Sequence, residues 1–132
     1  MALKPDLKIL VVDDMPTMRK ILISTLTKIG YTNITEADDG SSAWPIIEQA
    51  LGTDAPYEFI ISDWNMPEMS GIELLEKVRN HEELKPLPFL MVTAETEQSN
   101  VVNAVKAGVS NYVIKPFTED SLKEKITKIF EK

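Results

Sequence analysis

Short apolar runs that alternate with longer amphipathic stretches, five times over, constrain this chain more than any other feature. The runs are Lys8–Val12 (KILVV), Phe59–Ser62 (FIIS), Phe89–Val92 (FLMV), Asn111–Ile114 (NYVI) and a weaker one, Asn33–Ala37 (NITEA). Each has strand length and is rich in β-branched or aromatic residues. The first amphipathic stretch begins at Pro16, which suits a first helical turn. It places Met18, Ile21, Leu22, Leu26 and Ile29 at helical spacing and meets Gly30, a residue suited to ending it. Further helices are predicted over about Ser41 to Leu51, Gly71 to Asn80, Ser99 to Ala107 and Thr118 to Phe130. Pro45 is the local misfit, since a proline beyond the first turn loses a backbone hydrogen bond, so the second helix is expected to start late or to bend there.

Parallel strands need helix-length crossovers, and helices on both faces explain why the strands are apolar throughout. The expected class is α/β: a flavodoxin-like (βα)5 three-layer sandwich whose five-stranded parallel sheet has the doubly wound order 2-1-3-4-5, with the weak second strand at an edge. The 132 residues are expected to form a single domain, 1–132, with its core over about 8–130 and no output domain.

Composition narrows the function. Twenty-one acidic residues against 14 basic ones give a net charge of -7, and the lysines form no strong patch, so nucleic acid is excluded as a partner. With no cysteine there is no disulfide framework and no thiolate chemistry. The opening MALKPDLK carries no long apolar segment, and no later run is long enough for membrane insertion. A cytoplasmic monomer is expected.

The strands end on reactive side chains. The first runs into Asp13 and Asp14, the third into Asp63, the fourth into Thr93 and the fifth into Lys115. In an open parallel sheet these ends share one edge, where ligands bind. Taken singly, Asp14 reads as a helix cap, Thr93 as a cap or turn residue and Lys115 as a residue before proline. Taken together, three carboxylates need a counter-charge. Lys115 supplies one, and a hard divalent cation such as Mg²⁺ suits the oxygen-only donor set. A carboxylate beside Mg²⁺ and a lysine is prepared to attack a phosphoryl group, with Asp63 as nucleophile and Thr93 as a hydroxyl donor to the phosphoryl oxygens.

The stretches LVVDD (Leu10 to Asp14), SDWNMPEMSG (Ser62 to Gly71), MVTAE (Met91 to Glu95) and YVIKPF (Tyr112 to Phe117) resemble the receiver domain of two-component response regulators, and the likeness is closest to its single-domain chemotaxis branch. The resemblance covers about Lys8 to Phe130. It implies that Asp63 is the phosphoacceptor, and that Asp13, Asp14 and Asp63 bind Mg²⁺ together with the backbone carbonyl of Asn65. It implies that Thr93 and Lys115 contact the phosphoryl group, that the Lys115–Pro116 bond is cis, and that Tyr112 is the switch aromatic. The side chains of Asn65 and Glu95 would tune dephosphorylation. Without these motifs Tyr112 would read as a half-buried aromatic with a wet hydroxyl. The start of the fourth predicted helix, with Glu97 and Gln98, is less basic than in the best-known chemotaxis regulators, whereas Lys125 and Tyr112 keep their expected places.

The function implied is a chemotaxis response regulator. A histidine kinase would phosphorylate Asp63, and the face made by the fourth helix, fifth strand and last helix would then bind the flagellar motor switch protein. A phosphatase partner is left open. A phosphorelay intermediate or phosphate sink is the alternative. The protein is expected not to be an enzyme beyond its own phosphorylation and dephosphorylation: an aspartate-nucleophile phosphatase would carry an aspartate where Asn65 stands, and a flavodoxin-like cofactor carrier would not follow its first strand with DDMPTM.

Overall fold

A computed structural model describes residues 5–64, 66, 68–93, 105–115 and 117–130. Its elements are β1 (Ile9–Val12), α1 (Pro16–Ile29), β2 (Ile34–Ala37), α2 (Gly40–Leu51), β3 (Phe59–Asp63), α3 (Gly71–Asn80), β4 (Phe89–Thr93), β5 (Asn111–Ile114) and α4 (Glu119–Phe130). All strand pairs are parallel, in the order β2-β1-β3-β4-β5, as expected from the sequence. Of the helix expected over 99–107, the first part lies outside the described residues, and residues 105 and 106 are helical.

Alternation along each strand divides the core between two faces. Leu10, Val12, Ile60, Phe89 and Met91 point one way, onto Ala43 and Ile47 of α2 and Leu74, Leu75 and Val78 of α3. Ile9, Val11, Phe59, Ile61, Leu90 and Val92 point the other way, onto Leu22 and Leu26 of α1 and Leu122, Ile126 and Ile129 of α4. Each fully buried side chain of this kind contributes about 1.5–3 kcal/mol, so the sandwich is held from both sides. β2, exposed at the edge, has only Ala37 buried.

Helix ends follow local chemistry. α1 has Pro at its first turn, and Gly30, at φ 127°, ends it by donating its amide to the Leu26 and Thr27 carbonyls. α3 carries a reciprocal cap, in which the Ser70 hydroxyl accepts from the Glu73 amide and the Glu73 carboxylate accepts from the Ser70 amide. Thr118 and Ser121 exchange hydrogen bonds at the start of α4. Of the two expectations for the second helix, a late start or a bend at Pro45, the late start is not observed: α2 begins at Gly40, one residue earlier than expected, and Pro45 lies inside it. The Asp39 side chain caps the Ser41 amide, and Gly40, Ala43, Ile47 and Ala50 are buried. Together these offset the roughly 3 kcal/mol that an interior proline costs.

Gly71 opens α3 where the chain returns to the end of β3. A Cβ there would run into the Asp63 carbonyl and come within 2.8 Å of the Met91 sulfur, whereas one at Gly52 would meet only the Gln49 carbonyl at 3.6 Å. Gly71→Ala is therefore expected to destabilise the fold by about 1–3 kcal/mol through overpacking. Gly52→Ala should be neutral or stabilising by up to about 1 kcal/mol, by restricting the unfolded chain. Urea denaturation of the two variants distinguishes these outcomes.

A candidate acidic phosphoryl site

Register brings the site together. Val12 lies opposite Ser62 in the β1–β3 pair, so Asp13 and Asp63, one residue further on, stand side by side. Asp63 is opposite Val92 and Thr93 opposite Ile114, which puts Thr93 and Lys115 at the same edge. Asp63 and Thr93 are the last residues of their strands, so both strands run one residue further than their apolar runs indicate. The amide of Lys115 donates to the Thr93 carbonyl at 2.8 Å, fixing the start of the lysine side chain relative to β4.

The Lys115 ammonium donates to Asp63 Oδ1 at 2.9 Å and reaches Asp13 Oδ2 at 3.5 Å. Asp13 is fully buried and Asp63 nearly so, while Asp14 is exposed. The three carboxylates offer oxygens within 4.8 Å of one another. Burial pushes the Asp63 carboxyl above its ordinary value. The hydrogen bond from Lys115 pulls it back, the charge of Asp13 pushes it up again, and the net direction is upward. Among the described residues, one ammonium, Lys115, is bonded to this group of three carboxylates. The donor set is oxygen alone, and the single histidine, His81, lies at the end of α3 and is not part of it. The residues fit a hard divalent cation of the Mg²⁺ kind.

Asp14 is not the cap of α1: Met15 occupies that position, and the amide of Met15 is bonded instead by Asp13 Oδ1 at 2.9 Å. Thr93 is buried at the strand end. Tyr112 is half-buried on β5, three residues before Lys115 and outside the acidic cluster, with the Lys125 ammonium 5.2 Å from its ring centre. Asn65, Glu95, Glu97, Gln98 and the Lys115–Pro116 bond lie outside the described residues.

Two residues that sequence reasoning missed support the site. Arg19 donates through Nη1 to the Asp13 carbonyl at 2.6 Å and through Nε to Glu36 at 3.0 Å, tying α1 and β2 to the end of β1. Nothing in its sequence context marks it. Asp39 caps α2 and also accepts the amides of Glu68 (2.9 Å) and Met69 (3.0 Å). Burial alone would push its carboxyl up, but the hydrogen bonds from Ser41, Glu68 and Met69 outweigh it and hold the group below its ordinary value. An aspartate before Gly40 and Ser41 signals the cap, whereas the bonds across about thirty residues leave no trace in the sequence.

Residues 9–127 match the response regulator receiver domain, and the chain belongs to that family. It is 51% identical over 126 residues to the chemotaxis protein CheY of Pseudomonas aeruginosa, covering 96% of this chain and 98% of that one. It is 47% identical over 130 residues to the chemotaxis protein CheY-3 of Vibrio cholerae, covering 98% and 96%. Among solved structures, the chemotaxis response regulator CheY4 of Vibrio cholerae superposes with a TM-score of 0.82 at 31% identity, over 95% of this chain and 99% of that one. Among the described residues no helix is long and apolar enough to cross a membrane.

In metal-free buffer, Asp63→Asn is expected to raise the melting temperature by a few degrees, since about 1 kcal/mol corresponds to about 4 °C in a domain of this size. Because the folded-state pKa of Asp63 is raised, the cost of its ionisation is present above that pKa and is relieved as pH falls through it toward the ordinary carboxylate range. The gap between variant and wild type should therefore be widest near pH 7 and narrow on acidification. Thermal melts across that range in chelator check it; a variant that melts lower than wild type at pH 7 contradicts it.

Proposed function

We propose that the protein is a chemotaxis response regulator switched by phosphorylation of Asp63. The observation that carries this reading is the placement of one ammonium, Lys115, 2.9 Å from the Asp63 carboxylate inside a cluster of three acids at the sheet edge. The names of the relatives, chemotaxis proteins matched over nearly their whole length, support the signalling role.

In the reaction, an oxygen of the Asp63 carboxylate attacks the phosphorus of a phosphohistidine on the donor kinase. The new O–P bond forms as the P–N bond breaks, and the imidazole leaves with the electron pair. Lys115 holds Asp63 in place beforehand and then offers its charge to the phosphoryl oxygens. Asp13, Asp14 and Asp63, with the carbonyl of Asn65, would hold Mg²⁺, which when bound neutralises charge on the transferring group. Thr93 donates its hydroxyl to a phosphoryl oxygen, and Tyr112 moves inward behind it. The changed face around β5, Tyr112 and Lys125 then binds the flagellar motor switch. Asn65 and Glu95 set how quickly the acyl phosphate hydrolyses, by the chain itself or with a phosphatase. The protein works in the cytoplasm as a switch, turning over no substrate beyond its own phosphoryl group.

Incubation with acetyl phosphate, followed by acid quenching and intact mass spectrometry, tests the chemistry. A gain of one phosphoryl group that needs Mg²⁺ and is absent from Asp63→Asn is expected. No adduct under conditions that phosphorylate a control receiver would overturn the reading. The swimming of a deletion strain separates motor output, where the rotational bias changes, from a phosphorelay intermediate or phosphate sink, where the motor is not the target.

A further inference from the structure

The chain that leaves Asp63 returns to it at Gly71, and this excursion is fastened at both its base and its crown. At the base, the Gly71 amide donates to the Trp64 carbonyl at 2.8 Å, and the Trp64 amide donates to Val92 of β4 at 3.0 Å. Gly71 sits so close to the Asp63 carbonyl that no Cβ fits between them. Midway, Met66 is buried in the core beneath α2 and α3. At the crown, both oxygens of the Asp39 carboxylate are used: Oδ1 accepts from Ser41 and Met69, and Oδ2 accepts from Glu68. The neighbouring Gly40 amide donates to the Met69 carbonyl at 3.3 Å, and a Cβ on Gly40 would come within 2.7 Å of that same oxygen.

The fastening joins α2 to the segment that leads from Asp63 to α3, two parts distant in the sequence. α2 lies beyond the edge strand in sequence, whereas residues 64–70 carry the backbone from the phosphoacceptor back to α3. Asp39 is nearly buried and ionised, so its hydrogen bonds to amides are of the charge-assisted kind and roughly twice as strong as neutral ones. Its removal would free the amides of Glu68 and Met69 and loosen the return of the chain onto the Asp63 backbone.

We infer that Asp39 is a positioning residue for the acidic site: through the amides of Glu68 and Met69 it fixes the segment after Asp63, and so the placement of the Asp63 carboxylate against Asp13 and Asp14. The inference rests on the reading of Asp63 as a metal-dependent phosphoacceptor. Asp39 itself touches neither metal nor phosphoryl group. Its effect falls on cation affinity, in the way that residues orienting metal ligands act.

The test separates this role from simple helix capping. Asp39→Ser keeps a short acceptor for the Ser41 amide, so α2 stays capped, but one hydroxyl cannot also accept from Glu68 and Met69. Asp39→Asn keeps the size and one acceptor oxygen. Mg²⁺ titrations followed by Trp64 fluorescence, amide hydrogen exchange at Glu68 and Met69, and melting temperature are measured on the full chain. For Asp39→Ser the apparent Kd for Mg²⁺ should rise about tenfold, and the two amides should exchange faster. Phosphorylation by acetyl phosphate should recover at saturating Mg²⁺. Asp39→Asn should fall between Asp39→Ser and wild type. Wild-type Mg²⁺ affinity in Asp39→Ser, measured well below its melting temperature, overturns the inference while leaving the proposed function intact. A wild-type protein that binds no Mg²⁺ overturns both.

Discussion

Two carboxylates buried at one sheet edge are tolerable only because an ammonium reaches them. Lys115 spans Asp63 and Asp13 from the end of β5, and its backbone is itself bonded to Thr93 at the end of β4. The contact is therefore also a statement about strand order. β1, β3, β4 and β5 must lie as immediate neighbours, all parallel and in one register, for the four side chains to meet. A shift of one residue in any pair would turn a carboxylate or the lysine to the opposite face. The two-sided core opposes that shift, because each strand residue is fitted to the helix side chains of its own face and would have to repack against those of the other. The same close packing on both faces that stabilises the sheet thus sets the alignment of the acids.

Under the proposed function, the acidic excess at the site would have a use. One ammonium faces Asp13, Asp14 and Asp63, and burial first, with the charge of Asp13 behind it, raises the Asp63 pKa against the pull of Lys115. A site neutralised completely by protein groups would have little affinity for a cation and less for a phosphoryl group approaching with it. The domain accepts some destabilisation at this edge, against a core large enough to bear it, which is the usual relation between a reactive site and its scaffold. Asp39 shows the opposite treatment of a buried carboxylate. Three amides surround it, its pKa is lowered, and it holds structure.

Much of this was legible in the sequence, for identifiable reasons. The alternation of apolar runs with amphipathic stretches gives class and layers, and the expected 2-1-3-4-5 order is observed. That order is well known from flavodoxin and CheY, so the expectation was not independent of the receiver resemblance. The convergence of Asp13, Asp14, Asp63 and Lys115 was legible because each lies at or just past the end of an apolar run that the crossover pattern makes a parallel strand. What escaped depends on contacts between residues distant in the chain. Pro45 within α2 is explained only by the burial of its neighbours and the Asp39 cap. Arg19 looks like any solvated helix residue until the carbonyl of Asp13 is found against it. Asp39 signals a helix start and conceals its second task, since no local pattern encodes an acceptor for amides thirty residues away.

The contact between Lys125 and Tyr112 bears on what a partner would meet at the face of β5 and α4. With its ammonium 5.2 Å from the ring centre, the lysine is partly held by the aromatic surface, an attraction worth about 0.5–1 kcal/mol at an exposed site. Any inward rotation of the ring takes that surface away and releases the cation to solvent. The displacement of one aromatic side chain would then alter two properties of the face at once. A hollow would open where the ring had been, and a mobile positive charge would stand beside it.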